Sequence, residues 1–280
     1  MKPIHKEDVR IPVVAGLYYP GQRDVLESDI DTLLRSSTTN VLTGEIKALI
    51  APHAGYMFSG RVAAVGYKQL FSRDYPIVAI ISPNHHDYFE GVSVFTGKGY
   101  KTPLGLVPIA TNLAEDLIAT NRHIFSSWAG HQEEHALEVQ IPFLQKVLKD
   151  FQIIPIVMGD QLPETCRMLG ESLAKVLADR PALIIASSDL SHNHTYHEAV
   201  KIDLGTCDYV AGFNENALMN ALQNRTCEAC GGGPIVATMI ASKIIGAVKA
   251  DVLHYENSGD ITGDYSNVVG YLSAAFYNVN

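Results

Sequence analysis

A chain of 280 residues, 47% of them hydrophobic, can bury one sizeable core or two closely packed lobes. The formal net charge of -9, with no long Lys/Arg cluster, repels phosphate backbones and excludes nucleic acid as a main partner. No apolar run approaches the roughly 20 residues that span a bilayer, the first ten residues are polar, and the four cysteines form no disulfide framework, so a reduced, cytoplasmic protein without a membrane partner is expected.

In chain order, the spacing of apolar residues predicts a helix over 29–37, a strand over 46–51, a helix over 60–71 and strands over 77–82 and 92–96. Helices are expected over 113–121 and 134–149, then a strand over 152–157, a helix over 163–178 and a strand over 182–187. Helices over 197–213, 217–224 and 234–248 and strands over 251–255 and 268–274 complete the chain. Runs 77–82 and 182–187 are almost purely apolar, as strands covered by helices on both faces are. The fold class is therefore α/β, with a largely parallel or mixed sheet flanked by helices. No repeat or linker divides it, so residues 1–280 read as a single domain.

Sites in such sheets form beyond the carboxyl ends of the strands. Three apolar runs are followed at once by a polar cluster: His53 after 46–51, His85-His86 after 77–82, and Asp189 with His192 after 182–187. Parallel strands would put all three on one edge, where imidazole and carboxylate suit iron, copper, zinc or manganese. A fourth cluster, Cys227-Glu-Ala-Cys230-Gly, has the spacing of a redox pair or half a zinc knuckle. Alternatively Cys230 acts alone, ahead of a helix N-terminus whose dipole favours thiolate. His131-Gln-Glu-Glu134-His135 fits the His-x-x-Glu-His pattern of a zinc peptidase helix, a further reading.

Nine segments, in order, resemble the Memo family: Arg10-Ile-Pro-Val-Val-Ala-Gly-Leu-Tyr-Tyr-Pro20, Ala51-Pro-His-Ala-Gly-Tyr56, Ser82-Pro-Asn-His-His86, Thr102-Pro-Leu-Gly105, Glu134-His-Ala-Leu-Glu-Val-Gln-Ile-Pro-Phe-Leu144, Ser187-Ser-Asp-Leu-Ser-His192, Cys230-Gly231, Ser258-Gly-Asp-Ile-Thr-Gly-Asp-Tyr265 and Val268-Val-Gly-Tyr271. Prokaryotic members are grouped as protein B of a system with a radical-SAM partner. The resemblance implies a fold like that of the LigB-like class III extradiol dioxygenases, which hold Fe(II) on two histidines and a glutamate. It implies that His53 and His85 are the metal histidines, that Cys230 takes the glutamate's place, and that Asp189 joins the metal site. His192 would be the acid/base, and His135 another pocket histidine.

Thiolate in place of carboxylate softens the site, raises the standing of copper, and adds a sulfur that oxidants can attack. The expected function is a metal-dependent redox enzyme acting on a small aromatic or other oxidisable molecule, with iron(II) or copper favoured over zinc. The alternative is an accessory module for a peptide or a radical-SAM partner, with Tyr56, Tyr88, Phe89 and Trp128 forming a groove.

Overall fold

Runs of Ile, Val, Leu and Ala that stay apolar for five residues or more have no solvent-facing side, so they must lie where both faces are covered. The computed structural model, which describes residues 2–38 and 40–279, puts them at the centre of the sheet. The chain begins β1 (Val9–Arg10), α1 (Arg23–Ser36), β2 (Ile46–Ala51), α2 (Tyr56–Lys68), β3 (Ile77–Pro83), β4 (Val92–Val94), β5 (Gly99–Thr102) and β6 (Gly105–Pro108). It continues α3 (Thr111–Thr120), β7 (Ile124–Ser126), a 3-10 turn (Glu138–Gln140), α4 (Ile141–Val147), β8 (Gln152–Met158), α5 (Pro163–Leu177) and β9 (Ala182–Ser187). It ends β10 (Asp189–His194), α6 (Tyr196–Ala211), α7 (Glu215–Gln223), α8 (Gly232–Ile244), β11 (Lys249–Asn257), α9 (Ser258–Thr262) and β12 (Val268–Tyr277).

Among the described residues, nine strands form one sheet in the order β10-β12-β2-β9-β3-β8-β4-β7, with β11 on β12, while β1, β5 and β6 form a small sheet of their own. The four central strands β2, β9, β3 and β8 are parallel. The crossover from β2 to β3 carries α2 and runs one way across the sheet; that from β8 to β9 carries α5 and runs the other. Right-handed crossovers in opposite directions lie on opposite faces, so the central strands are covered on both sides. Their carboxyl ends share one edge. Among the described residues, no helix is long and apolar enough to cross a membrane.

One expected element fails and one strand goes unforeseen. The helix over 134–149 shrinks to the 3-10 turn and the seven-residue α4. Its first part is drawn off the helical path because Arg10 takes the carbonyls of His131 and Glu134, and the Glu134 carboxylate takes the Ala136 N–H. The cluster Asp189–His192, over which no element is expected, belongs to β10, which pairs antiparallel with β12.

The loop after β3 lies against the end of β8. A Cβ on Gly159 would stand 2.2 Å from both the ring edge and the carbonyl oxygen of Phe89. Gly159→Ala should therefore cost about 1–3 kcal/mol, read from the denaturation midpoint; an unchanged midpoint would refute this close packing.

Candidate metal centre

The edge at the carboxyl ends of β2, β3 and β9 gathers the polar clusters. One ring or thiol atom from each of His53, His85 and Cys230 lies within 4.8 Å of the others. Cys230 Sγ is 3.1 Å from His53 Nε2 and accepts the Asp189 N–H at 3.3 Å. The rings of His53 and His85 meet edge-on at 5.2 Å, and His135 lies 4.9 Å from His85, nearly stacked. Asp189 is adjacent: its Oδ1 accepts the N–H groups of His53 at 2.7 Å and Ala54 at 3.3 Å, and its Oδ2 stands 4.0 Å from His53 Nε2. A chamber of about 540 Å³ opens in front of His53, His85, His135, Asp189 and His192, walled by Tyr18, Phe58 and Tyr271. Cys230 and His192 also line a second depression of about 610 Å³.

The protons on these rings follow from their partners. Gln140 Oε1 accepts from Tyr67 OH, so its Nε2 faces Ser187 Oγ and donates at 2.8 Å. Ser187 Oγ spends its own proton on Ala136 O at 2.6 Å. The hydroxyl can therefore only accept from His53 Nδ1 at 3.0 Å, which leaves Nε2 as the bare nitrogen. His85 Nδ1 donates to Glu134 Oε1 at 2.9 Å, and His135 Nδ1 lies 3.3 Å from the same oxygen. His192 Nδ1 stands 3.0 Å from the carbonyl of Leu190, a partner that can only accept. His53, His85 and His192 thus each carry a proton on Nδ1 and leave Nε2 for another partner.

Burial and the neighbouring His85 push His53 down to about 3. Burial with His53 beside it pushes His135 down to about 4, so both are neutral near pH 7. Burial alone would lower His85, but its bond to Glu134 and the charges of Glu134 and Asp189 outweigh it and raise it. Burial would raise Glu134; His85 and the Ala136 N–H overcome it and hold the carboxyl at about 2. Asp189 is raised by burial, offset in part by the N–H groups it accepts. Burial, reinforced by Asp189, also pushes the Cys230 thiol up. In the metal-free chain, desolvation and the nearby acid work against the thiolate that a helix N-terminus favours, and α8 begins two residues after Cys230.

Other expectations separate as well. His131 is a buried core histidine, held between Tyr100 OH at 2.7 Å and Ser93 O at 3.3 Å. Residues 131–135 are not helical, so no peptidase pair with His135 forms. The two cysteines of the Cys-x-x-Cys stretch are free and part ways, Cys227 packing against Gly205 of α6 and Cys230 against His53. Tyr56 is buried, its hydroxyl on Val139 O, so it lines no groove; Tyr88, Phe89 and Trp128 do share a separate surface depression. His86 is exposed.

Glu134, to which the sequence offers only the peptidase reading as a role, stands behind His85 instead. Its Oε2 accepts the His85 N–H at 2.6 Å while Oε1 fixes the ring. A carboxylate behind a ligating histidine typically carries 10–100-fold in metal affinity, so Glu134→Gln should weaken metal binding by about that factor. A metal titration of the folded variant that matches wild type would exclude this role.

Fold and centre together define an α/β protein with a mixed sheet and a histidine–cysteine cluster at the ends of its central parallel strands. A family model described as Memo-like protein matches residues 10–275, and the chain belongs to the Memo family. A MEMO1 family protein of Nitrosopumilus maritimus is 34% identical over 273 residues, which span 96% of this chain and 99% of that one. A relative in Methanosarcina mazei bearing the same description is 38% identical over 269 residues, 95% of this chain and 98% of its own. The crystal structure of the uncharacterized protein JW3007 from Escherichia coli K12 shares the fold, with a TM-score of 0.56 at 15% identity, covering 82% of this chain and 99% of that one.

Proposed function

We propose that the chain is a metal-dependent redox protein in which His53, His85 and Cys230 hold one transition-metal ion, iron(II) or copper rather than zinc, with Asp189 beside them. One observation carries this reading: hydrogen bonds to Ser187 and Glu134 take up the Nδ1 protons of His53 and His85, leaving their Nε2 atoms available beside a thiol. Second-row partners that fix the tautomer in this way are the usual company of ligating histidines. Two imidazoles and a sulfur fit a borderline-to-soft metal.

Such an ion, when bound, supplies one-electron chemistry and Lewis acidity to a molecule in the chamber. The chain's own residues do the rest. Tyr18, Phe58 and Tyr271 exclude water and seat an apolar body. His135, neutral near pH 7, is a proton acceptor in the chamber. His192 accepts at the opposite ring nitrogen from its bond to Leu190.

The test is metal content after anaerobic loading with Fe(II) or copper, paired with oxygen uptake on a panel of oxidisable small aromatics. One metal per chain, with uptake lost in His53→Ala, is expected. Wild type and His53→Ala that both lack metal, or consume oxygen alike, would end the proposal. A second reading, a binding module for a peptide or a radical-SAM partner, is favoured by the depression of about 750 Å³ that Tyr88, Phe89 and Trp128 line apart from the His53–His85–Cys230 cluster. A partner captured by wild type and lost on Trp128→Ala, with metal absent, would favour it.

A further inference from the structure

In a regular strand, residues three apart point to opposite faces. Asp189 and His192 nevertheless both line the histidine chamber. The strand that carries them is irregular. Asp189 stands opposite Tyr271 and His192 opposite Val269, so Leu190 and Ser191 together face the single residue Gly270. This one-residue bulge turns both side chains to the same side.

A bulge leaves a backbone N–H without a ladder partner, and a buried N–H must find another. Ser191 N–H donates to Asp203 Oδ1 at 3.0 Å. Asp203 comes from α6 and is fully buried, a place where carboxylates persist only with partners. Its Oδ2 accepts from Tyr255 OH of β11 at 2.8 Å. Gly270, the residue facing the bulge, lies so close that a Cβ there would stand 2.0 Å from Oδ2. Three elements are thus shaped around one carboxylate at the bulge. On its far side, the same bend brings the Leu190 carbonyl to His192 Nδ1 and the Asp189 N–H to Cys230 Sγ.

We infer that Asp203 is a positioning residue for the centre: its carboxylate holds the β10 bulge that turns Asp189 and His192 into one chamber. This rests on the reading of those two residues as functional groups, so its test is made on the metal-free full chain, where metal binding plays no part.

The readout is the tautomer of His192, followed by nitrogen NMR of the imidazole. Wild type should show a single Nδ1–H form. In folded Asp203→Ala, with the amides of β9 unchanged, His192 should become a mixture of tautomers, and Asp203→Asn, which keeps an acceptor for Ser191, should restore the single form. A folded Asp203→Ala with an unchanged His192 would overturn the inference. If that variant does not fold, hydrogen exchange in Asp203→Asn decides. A neutral acceptor binds roughly half as strongly as a carboxylate, so the Ser191 amide should exchange about tenfold faster while β9 is unaffected. Unchanged exchange at Ser191 would overturn it equally. Failure of the wild type to bind any metal would instead remove the proposed function and leave the His192 result standing.

Discussion

Glu138→Ala should destabilise the fold by about 3–5 kcal/mol, the cost of stripping one partner from a buried ion pair. Glu138 and Arg10 are both buried and paired. Arg10 donates in addition to the carbonyls of Ile11 at 2.6 Å, His131 at 2.8 Å and Glu134 at 2.6 Å. Glu138 accepts the N–H groups of Val13 at 2.9 Å and Val14 at 3.1 Å, and Tyr19 OH at 2.6 Å. Alanine would leave a guanidinium uncompensated and three donors without an acceptor. Glu138→Gln keeps the shape and one acceptor, so its cost should be smaller, about 1–3 kcal/mol. The measurement is the denaturant midpoint at constant slope. A loss under about 1 kcal/mol in Glu138→Ala would mean that water replaces the carboxylate, against the burial found here. The pair also reaches the metal centre, because Arg10 holds the backbone of Glu134, which holds His85.

That chain of support marks where sequence reading succeeds and where it stops. Strands over 46–51 and 182–187 match β2 and β9 to the residue, since burial on both faces writes itself as an apolar run. β1, β5, β6 and β7 span two to four residues, too short to carry a period. β10 was hidden for another reason: Ser188, Asp189 and Ser191 are buried polar groups, with Ser188 Oγ, Asp189 Oδ1 and the Ser191 N–H held by hydrogen bonds, so no apolar run marks the strand. His53 and His85 were legible from the strand-end rule. The approach of Cys230 was not, because it arrives from the segment between α7 and α8, and only the family resemblance brought it to the site. Ser187 and Gln140, which set the His53 tautomer, leave no trace in spacing. Glu134 looked like the base of a peptidase helix, and only the tertiary path shows it behind His85.

Cys230→Asp should invert the metal preference of the centre. With a thiolate beside two imidazoles, the donor set favours copper(I); a carboxylate there restores the two-histidine, one-carboxylate face that suits iron(II). Cys230→Ser, which offers only a neutral hydroxyl, should weaken copper(I) by at least about 100-fold, the upper end of what loss of a mere supporting partner costs. The aspartate variant differs in its metal-free state as well. Burial already raises Asp189, whose N–H meets Cys230 Sγ, and a second carboxylate beside it adds like-charge repulsion. Metal-free Cys230→Asp should therefore melt below wild type, and a divalent cation should recover the loss. At a free concentration of 100 times the dissociation constant, binding adds about 2.7 kcal/mol. Anaerobic melting curves of wild type, Cys230→Ser and Cys230→Asp, each alone and with Fe(II) or copper(I), give the comparison. If Cys230→Asp ranks the two metals as wild type does, Cys230 Sγ is not a ligand, and the softness of the centre must come from the histidines alone.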